Sequence, residues 1–173
     1  DFVYGVITPK VLEKVVELSK KYKLKTFGDT QCSSQIGLVT KFKDFTLLCP
    51  NEKEARIALQ DKESGLEIIS AKLFSSTNSQ MLIMKLGAQG FIAFDPTLEG
   101  LTSQSFPALS ANPVDVSGAG DSLLAVMAIS LSTKREIMPA AALGCCMSAI
   151  AVEKMGNNPV DSLQLKDFLG KLL

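Results

Sequence analysis

Strand-like and helix-like stretches alternate through the first part of this sequence and give way to an almost wholly helical tail. That order predicts an α/β protein, a layered sheet with helices on both faces. Two further observations carry the same reading. Met81–Leu86 is a continuous apolar run interrupted only by Lys85, the pattern of a strand buried on both faces. The 173 residues, 46% apolar and 21% charged, suffice for one domain, 1–173, with a real core.

The elements follow in chain order. Val11, Leu12, Val15, Val16 and Leu18 have helical spacing, with Thr8 as cap and Pro9 at the first helical position, and the helix should end near Tyr22. Leu24–Phe27 reads as a short strand. Residues 28–44, polar with Ser33, Ser34 and Gly37, read as a long loop or a loop with one helical turn, the one candidate for an inserted mobile element. A strand at Thr46–Cys49 is stopped by Pro50, and helices follow at Asn51–Gln60 and Ser64–Ser75. After the strand at Met81–Leu86, Gly87–Gly90 turns the chain and Phe91–Phe94 returns as a hairpin partner. A third extended piece lies around Thr102–Phe106. Helices are expected from Gly118 to about Leu131, from Glu136 to Glu153 and from Ser162 to Leu172.

Composition excludes several classes of chemistry. Eighteen Lys+Arg balance eighteen Asp+Glu, leaving no surplus of positive charge to neutralise a nucleic acid. With no histidine, the chain holds no Ser-His-Asp or Cys-His centre and no His-ligated zinc. Cys32, Cys49, Cys145 and Cys146 show no Cys-x-x-Cys spacing and read as buried thiols of a reducing, cytoplasmic compartment. No run of about eighteen apolar residues predicts a membrane span. The start, Asp-Phe-Val-Tyr-Gly, lacks a signal-peptide pattern and an initiator Met, and reads as the middle of something longer.

The segment Asp115-Val116-Ser117-Gly118-Ala119-Gly120-Asp121-Ser122 carries the chemistry. Two glycines open a strongly apolar helix, whose start presents unpaired N–H groups and the positive end of the dipole. Glycines let a phosphate approach those groups, so Gly118-Ala119-Gly120 reads as an anion cradle. A carboxylate in an anion site repels the ligand unless it has a task there. For Asp121 that task is to take a proton from an attacking hydroxyl; the alternative is that it complements the dipole or caps the helix. A dinucleotide fingerprint needs a third glycine where Leu123 stands, and a Walker loop needs a Gly-Lys-Ser/Thr triplet that is missing.

This segment resembles the signature of the PfkB/ribokinase family of sugar kinases, in which Asp-Thr-x-Gly-Ala-Gly-Asp ends in the catalytic base. Here Val116 and Leu123 replace the frequent Thr and Phe. Leu48-Cys49-Pro50-Asn51-Glu52-Lys53-Glu54 resembles the family's strand and Asn-x-x-Glu, and Met84-Lys85-Leu86-Gly87-Ala88-Gln89-Gly90 its strand and Gly-x-x-Gly turn. Asp1, Gly5-Val6-Ile7-Thr8-Pro9 and Asp29 are similar to the heptose-phosphate kinase branch, although Tyr4 stands where Lys is common. The resemblance implies a ribokinase-like fold, present as its C-terminal, nucleotide-binding half without the sugar-binding and lid half. It implies ATP-dependent phosphoryl transfer to a sugar or sugar phosphate, with Asp121 as base and Gly118, Ala119 and Gly120 as anion hole. Asn51, Glu54, Lys85, Gly87, Gly90 and Ser117 then belong to the nucleotide side, Glu54 also to Mg²⁺ through water, and Asp115 to a monovalent cation such as K⁺.

Each of these residues also has a structural reading. Asn51 and Glu54 satisfy a capping box. Lys85, inside an apolar strand, needs an anion, whether a phosphate or a carboxylate. Gly87 and Gly90 suit a hairpin, and Asp115 suits a turn that bonds its own backbone. Gly144, Ala149 and Val152 could form an adenine slot or simply pack helices, and the six methionines read as core. The alternative function is a nucleotide-binding or regulatory module without catalysis; an oxidoreductase domain fails on the missing glycine. The 173 residues alone are expected to bind ATP or ADP weakly and to phosphorylate no sugar, and an unpaired sheet edge could support a homodimer.

Overall fold

The computed structural model describes residues 1, 3–31, 38–97, 100–110, 112–156 and 158–172, so Cys32, Ser33, Ser34, Gly37 and Asn157 lie outside the described residues. The chain divides into two compact units: Asp1–Gly87 with Ile92–Ser103 (unit 1), and Ala88–Phe91 with Gln104–Leu173 (unit 2). Five strands, β1 (Phe27–Gly28), β2 (Leu47–Leu48), β3 (Met81–Lys85), β4 (Phe91–Thr97) and β5 (Gly100–Phe106), form one sheet in the order of the chain. β1 pairs parallel with β2, and β2 with β3, in the register Gly28 to Leu48 to Leu82. The layered α/β prediction holds.

In unit 1, helix α1 (Pro9–Tyr22) starts as expected, with Thr8 Oγ1 accepting the Val11 N–H and Pro9 at the first position. It ends at Lys23 in the left-handed region (φ 53°), and the Leu24 N–H bonds back to the Ser19 carbonyl at 2.9 Å. That return keeps Leu24 exposed and out of the sheet, so the strand begins at Phe27 and not at Leu24. Just before it, Thr26 and Thr46 exchange side-chain-to-backbone bonds of 3.1 and 3.2 Å and join the two strand entries. Gly28 is a packing requirement: a Cβ there would meet Leu48 Cδ2 at 2.9 Å and Phe45 Cδ1 at 3.1 Å.

Helix α2 (Glu52–Leu59) starts at Asn51, and α3 (Leu66–Thr77) starts and ends two residues later than the apolar pattern suggests. Ser64 is held in the preceding turn, its hydroxyl on Asp61 Oδ2 at 2.7 Å. At the other end, Ser76 and Thr77 donate their hydroxyls to the Leu73 carbonyl, which lets the polar run remain helical. Leu48, Ile69, Leu73, Leu82, Met84 and Phe94 form the core between helices and sheet. β3 shows the expected double-sided burial, with Leu82, Ile83 and Met84 fully covered.

In unit 2, α4 (Ala119–Ser132) packs against α5 (Ile137–Ala151), and α6 (Ser162–Leu172) closes the chain. α5 ends at Ala151, short of the expected Glu153, because the Val152 carbonyl accepts the N–H groups of Val114 and Asp115 at 2.8 and 3.3 Å. Gly144 sits at the α4–α5 contact, where a Cβ would fall 2.4 Å from Leu123 Cδ1. Gly144 is therefore a helix-packing residue. The three described cysteines are free and buried, with the Cys145 thiol donating to the Pro107 carbonyl at 3.0 Å. No helix among the described residues is long and apolar enough to cross a membrane.

Gly144→Val should destabilise the fold by about 1–3 kcal/mol, the usual range for overpacking, because Leu123 is itself buried and has little room to turn away. A lowered denaturant midpoint with an unchanged slope is the expected result.

Candidate active site

Parallel pairing brings the carboxyl ends of β1, β2 and β3 together, the position where open α/β sheets bind ligands. Asp29, Asn51 and Lys85 stand at or just beyond those three ends. The Lys85 N–H donates to the Pro50 carbonyl at 2.9 Å, and Asn51 and Lys85 form an isolated parallel bridge. Asn51 Oδ1 accepts the Glu54 N–H and Glu54 Oε2 accepts the Asn51 N–H, both at 2.8 Å, so the capping box is complete. Glu54 is only 2% exposed and fixed at the start of α2.

Lys85 has found a carboxylate. Its Nζ donates to Asp29 Oδ2 at 2.6 Å, with both side chains about one-fifth exposed (20% and 17%). Burial pushes the Asp29 carboxyl above its ordinary value, and Lys85 works against that shift without cancelling it. Asp29 entered the sequence reading only through the branch resemblance; its place in the site depends on the β1–β2–β3 pairing. Asn51, Lys85 and Gly87 all open onto a cleft of about 1210 Å³ that continues past Lys53 and Arg56. A Cβ on Gly87 (φ 60°) would meet nothing within 4 Å, so that backbone faces open space. Gly90 differs. A Cβ there would fall 2.0 Å from the Phe106 carbonyl oxygen, so contact with the backbone of 106–108 in unit 2 accounts for this glycine.

In unit 2, Gly118 is the N-cap of α4 at φ 78°, a left-handed conformation that glycine adopts without strain. The first intrahelical bond is Ser122 N–H to the Gly118 carbonyl at 2.9 Å, and the Ala119 N–H bonds to the Val116 carbonyl at 3.3 Å. The N–H groups of Gly120 and Asp121 have no acceptor among the described residues. Asp121 is exposed in the first helical turn, and no cap bond or ion pair engages its carboxylate among the described residues. It does not act as a side-chain cap.

Asp115 is a turn carboxylate. Oδ1 accepts the Ser117 N–H and Oδ2 the Gly156 N–H, each at 2.9 Å, so it ties the approach to α4 to the turn after α5. Those bonds, Ser117 first, hold its carboxyl below the usual aspartate range. The oxygens retain lone pairs, which fits a monovalent cation as an additional partner. Among the described residues no three acidic or cysteine side chains cluster as a metal cage. A Mg²⁺ ion arriving on nucleotide phosphates would need no such cage, since it keeps several waters. The expected site residues thus form two groups, Asn51, Glu54, Lys85 and Gly87 in unit 1, and Asp115, Ser117, Gly118, Ala119, Gly120 and Asp121 in unit 2.

An Asn-capped helix after a parallel strand, and a Gly-Ala-Gly helix start with an unengaged aspartate, are two of the three motifs by which the sequence resembled a sugar kinase. The chain belongs to the pfkB family of carbohydrate kinases, whose family model matches residues 10–163. It is 34% identical to the bifunctional protein HldE of Campylobacter jejuni over 97% of its length, and 29% identical to that of Geobacter sulfurreducens over 98%. It spans about a third of those relatives, 35% and 34% of their lengths. Among solved structures, Escherichia coli phosphofructokinase-2 in complex with potassium matches 96% of this chain and 53% of its own, with TM-score 0.78 at 14% identity. Arabidopsis thaliana ribokinase complexed with ribose and ATP matches 94% of this chain and 53% of its own, with TM-score 0.78 at 20% identity. Those structures establish the ribokinase-like fold.

A carboxylate whose pKa is depressed by folding stabilises the protein above its unfolded value, about 3.9 for aspartate, and loses that contribution as pH falls through the folded value. Asp115→Ala should therefore be less stable than the parent at neutral pH, with the gap closing as pH falls below that value. Paired chemical denaturations between pH 7 and pH 3 measure it; a gap independent of pH would remove the carboxylate from the account.

Proposed function

We propose that this chain provides the nucleotide-binding part of an enzyme that transfers the γ-phosphoryl group of ATP to a hydroxyl of a sugar or sugar phosphate. The start of α4 carries the reading. The N–H groups of Gly120 and Asp121, at the positive end of a fourteen-residue helix, have no acceptor among the described residues, and the adjoining Asp121 carboxylate makes no cap bond there. Structural duty accounts for Asp115, Asn51 and Gly90; it leaves Asp121 with no more than a general attraction to the helix dipole.

In this mechanism the acceptor hydroxyl lies against Asp121, which takes its proton as the oxygen attacks. The Gly120 and Asp121 N–H groups donate to the oxygens of the transferring phosphoryl group, where negative charge has to be held. In unit 1, Lys85 donates to a nucleotide phosphate, Gly87 lets the backbone approach it, and Asn51 sets the start of α2. Glu54 orders water on the side where Mg²⁺ arrives; the ion, when bound, offsets phosphate charge. Asp115 would face a monovalent cation such as K⁺. The likeness of Asp1, Gly5 and Asp29 to the heptose-phosphate branch supports a heptose phosphate as acceptor.

In the full-length protein, Asp121→Asn should lower turnover by roughly 10²–10⁴-fold, the usual share of a general base, with ATP affinity unchanged or slightly improved. Steady-state kinetics beside nucleotide titration measure both, and unchanged turnover would remove Asp121 from the chemistry. Gly120 lies within α4 and outside the left-handed region, so Gly120→Val strains no backbone and places its methyl groups where phosphate oxygens approach. Its melting temperature should stay near the parent's while the rise produced by ATP·Mg²⁺ shrinks; an undiminished rise would move the phosphate elsewhere.

A further inference from the structure

We propose that Asp29 is the positioning residue for Lys85, holding its ammonium group at the wall of the unit 1 cleft, where it meets a phosphate of the bound nucleotide. The inference rests on the reading of unit 1 as the nucleotide side. Lys85 is the last residue of β3, and its long side chain would otherwise sample many rotamers at the strand end. One of its three donors is taken by Asp29 Oδ2 at 2.6 Å, leaving two for a ligand without breaking that bond.

Asp29 is itself fixed. Its Oδ1 accepts the Thr30 N–H at 2.9 Å, and the residue follows directly on β1, which pairs with β2. Lys85 is among the residues that line the cleft and Asp29 is not. Stability alone gives little reason for such a pair, because a largely buried ion pair is commonly matched or bettered by apolar residues of the same volume. The burial that raises the Asp29 carboxyl works in the same direction: the fold keeps a carboxylate where charge is disfavoured, and what it obtains is an oriented lysine.

Calorimetry of the full-length protein with ADP·Mg²⁺ and with adenosine, on the parent, Asp29→Asn, Lys85→Met and the double variant, tests this. Each single substitution should weaken ADP by about tenfold, the range of one charge-assisted bond, and leave adenosine unaffected. The double variant should bind ADP no more weakly than Lys85→Met. The proposal falls if Asp29→Asn weakens both ligands alike, weakens ADP as much when Lys85 is already absent, or leaves ADP unchanged. A parent that binds no ADP would overturn the nucleotide reading of unit 1 and this inference with it, a result distinct from the other three. A second measurement needs no variant: ¹⁵N-lysine NMR of the parent should show a protected Lys85 ammonium that shifts on adding ADP, and a signal unmoved by saturating ADP overturns the proposal.

Discussion

Parallel pairing of Leu48 with Gly28 on one side and Leu82 on the other governs unit 1, because it decides which residues emerge together at the carboxyl ends of the strands. The strands themselves are short, with β1 and β2 two residues each, so their stability comes from packing and not from long ladders. Leu47, Leu48, Leu82, Ile83 and Met84 are fully buried, and the space above Leu48 closes only because Gly28 has no side chain. With register set in this way, Asp29 reaches Lys85 and Asn51 lies alongside it. An error of one residue would reverse the faces of every side chain along the strand and dissolve the group.

Unit 2 is organised differently. The site proposed for it is the beginning of one helix, and that beginning is held by a few residues. Asp115 joins the loop before α4 to the turn after α5 through two N–H groups, while Val152 accepts two more from Val114 and Asp115. The α4–α5 contact, close enough at Gly144 to exclude a Cβ, makes the pair of helices a rigid support. The N–H groups of Gly120 and Asp121, which have no acceptor among the described residues, thus belong to a well-packed element, the condition under which preorganised donors are effective.

The capping box shows how structural and functional readings can share the same atoms. Asn51 and Glu54 satisfy each other's N–H groups and start α2, and that alone explains their identity. The same bonds hold Glu54 in place just beyond the carboxyl end of β2. Asp121 is the contrasting case, since no cap bond explains it.

Much of this was legible in the sequence because it depends on interactions within a few residues. Thr8 and Pro9 start α1, Asn51 and Glu54 start α2, and the Gly-Ala-Gly-Asp run opens α4, since caps and helix periodicity act over a single turn. Three ordered motifs sufficed for the family. The tertiary structure alone decided that Lys85 meets Asp29, 56 residues away, and that Gly90 lies against the backbone of 106–108 while Gly87 faces open space. It also placed Leu24 outside the sheet and Gly144 against Leu123. Those outcomes follow from which strands pair and which helices touch, and no local pattern of residue types carries that information.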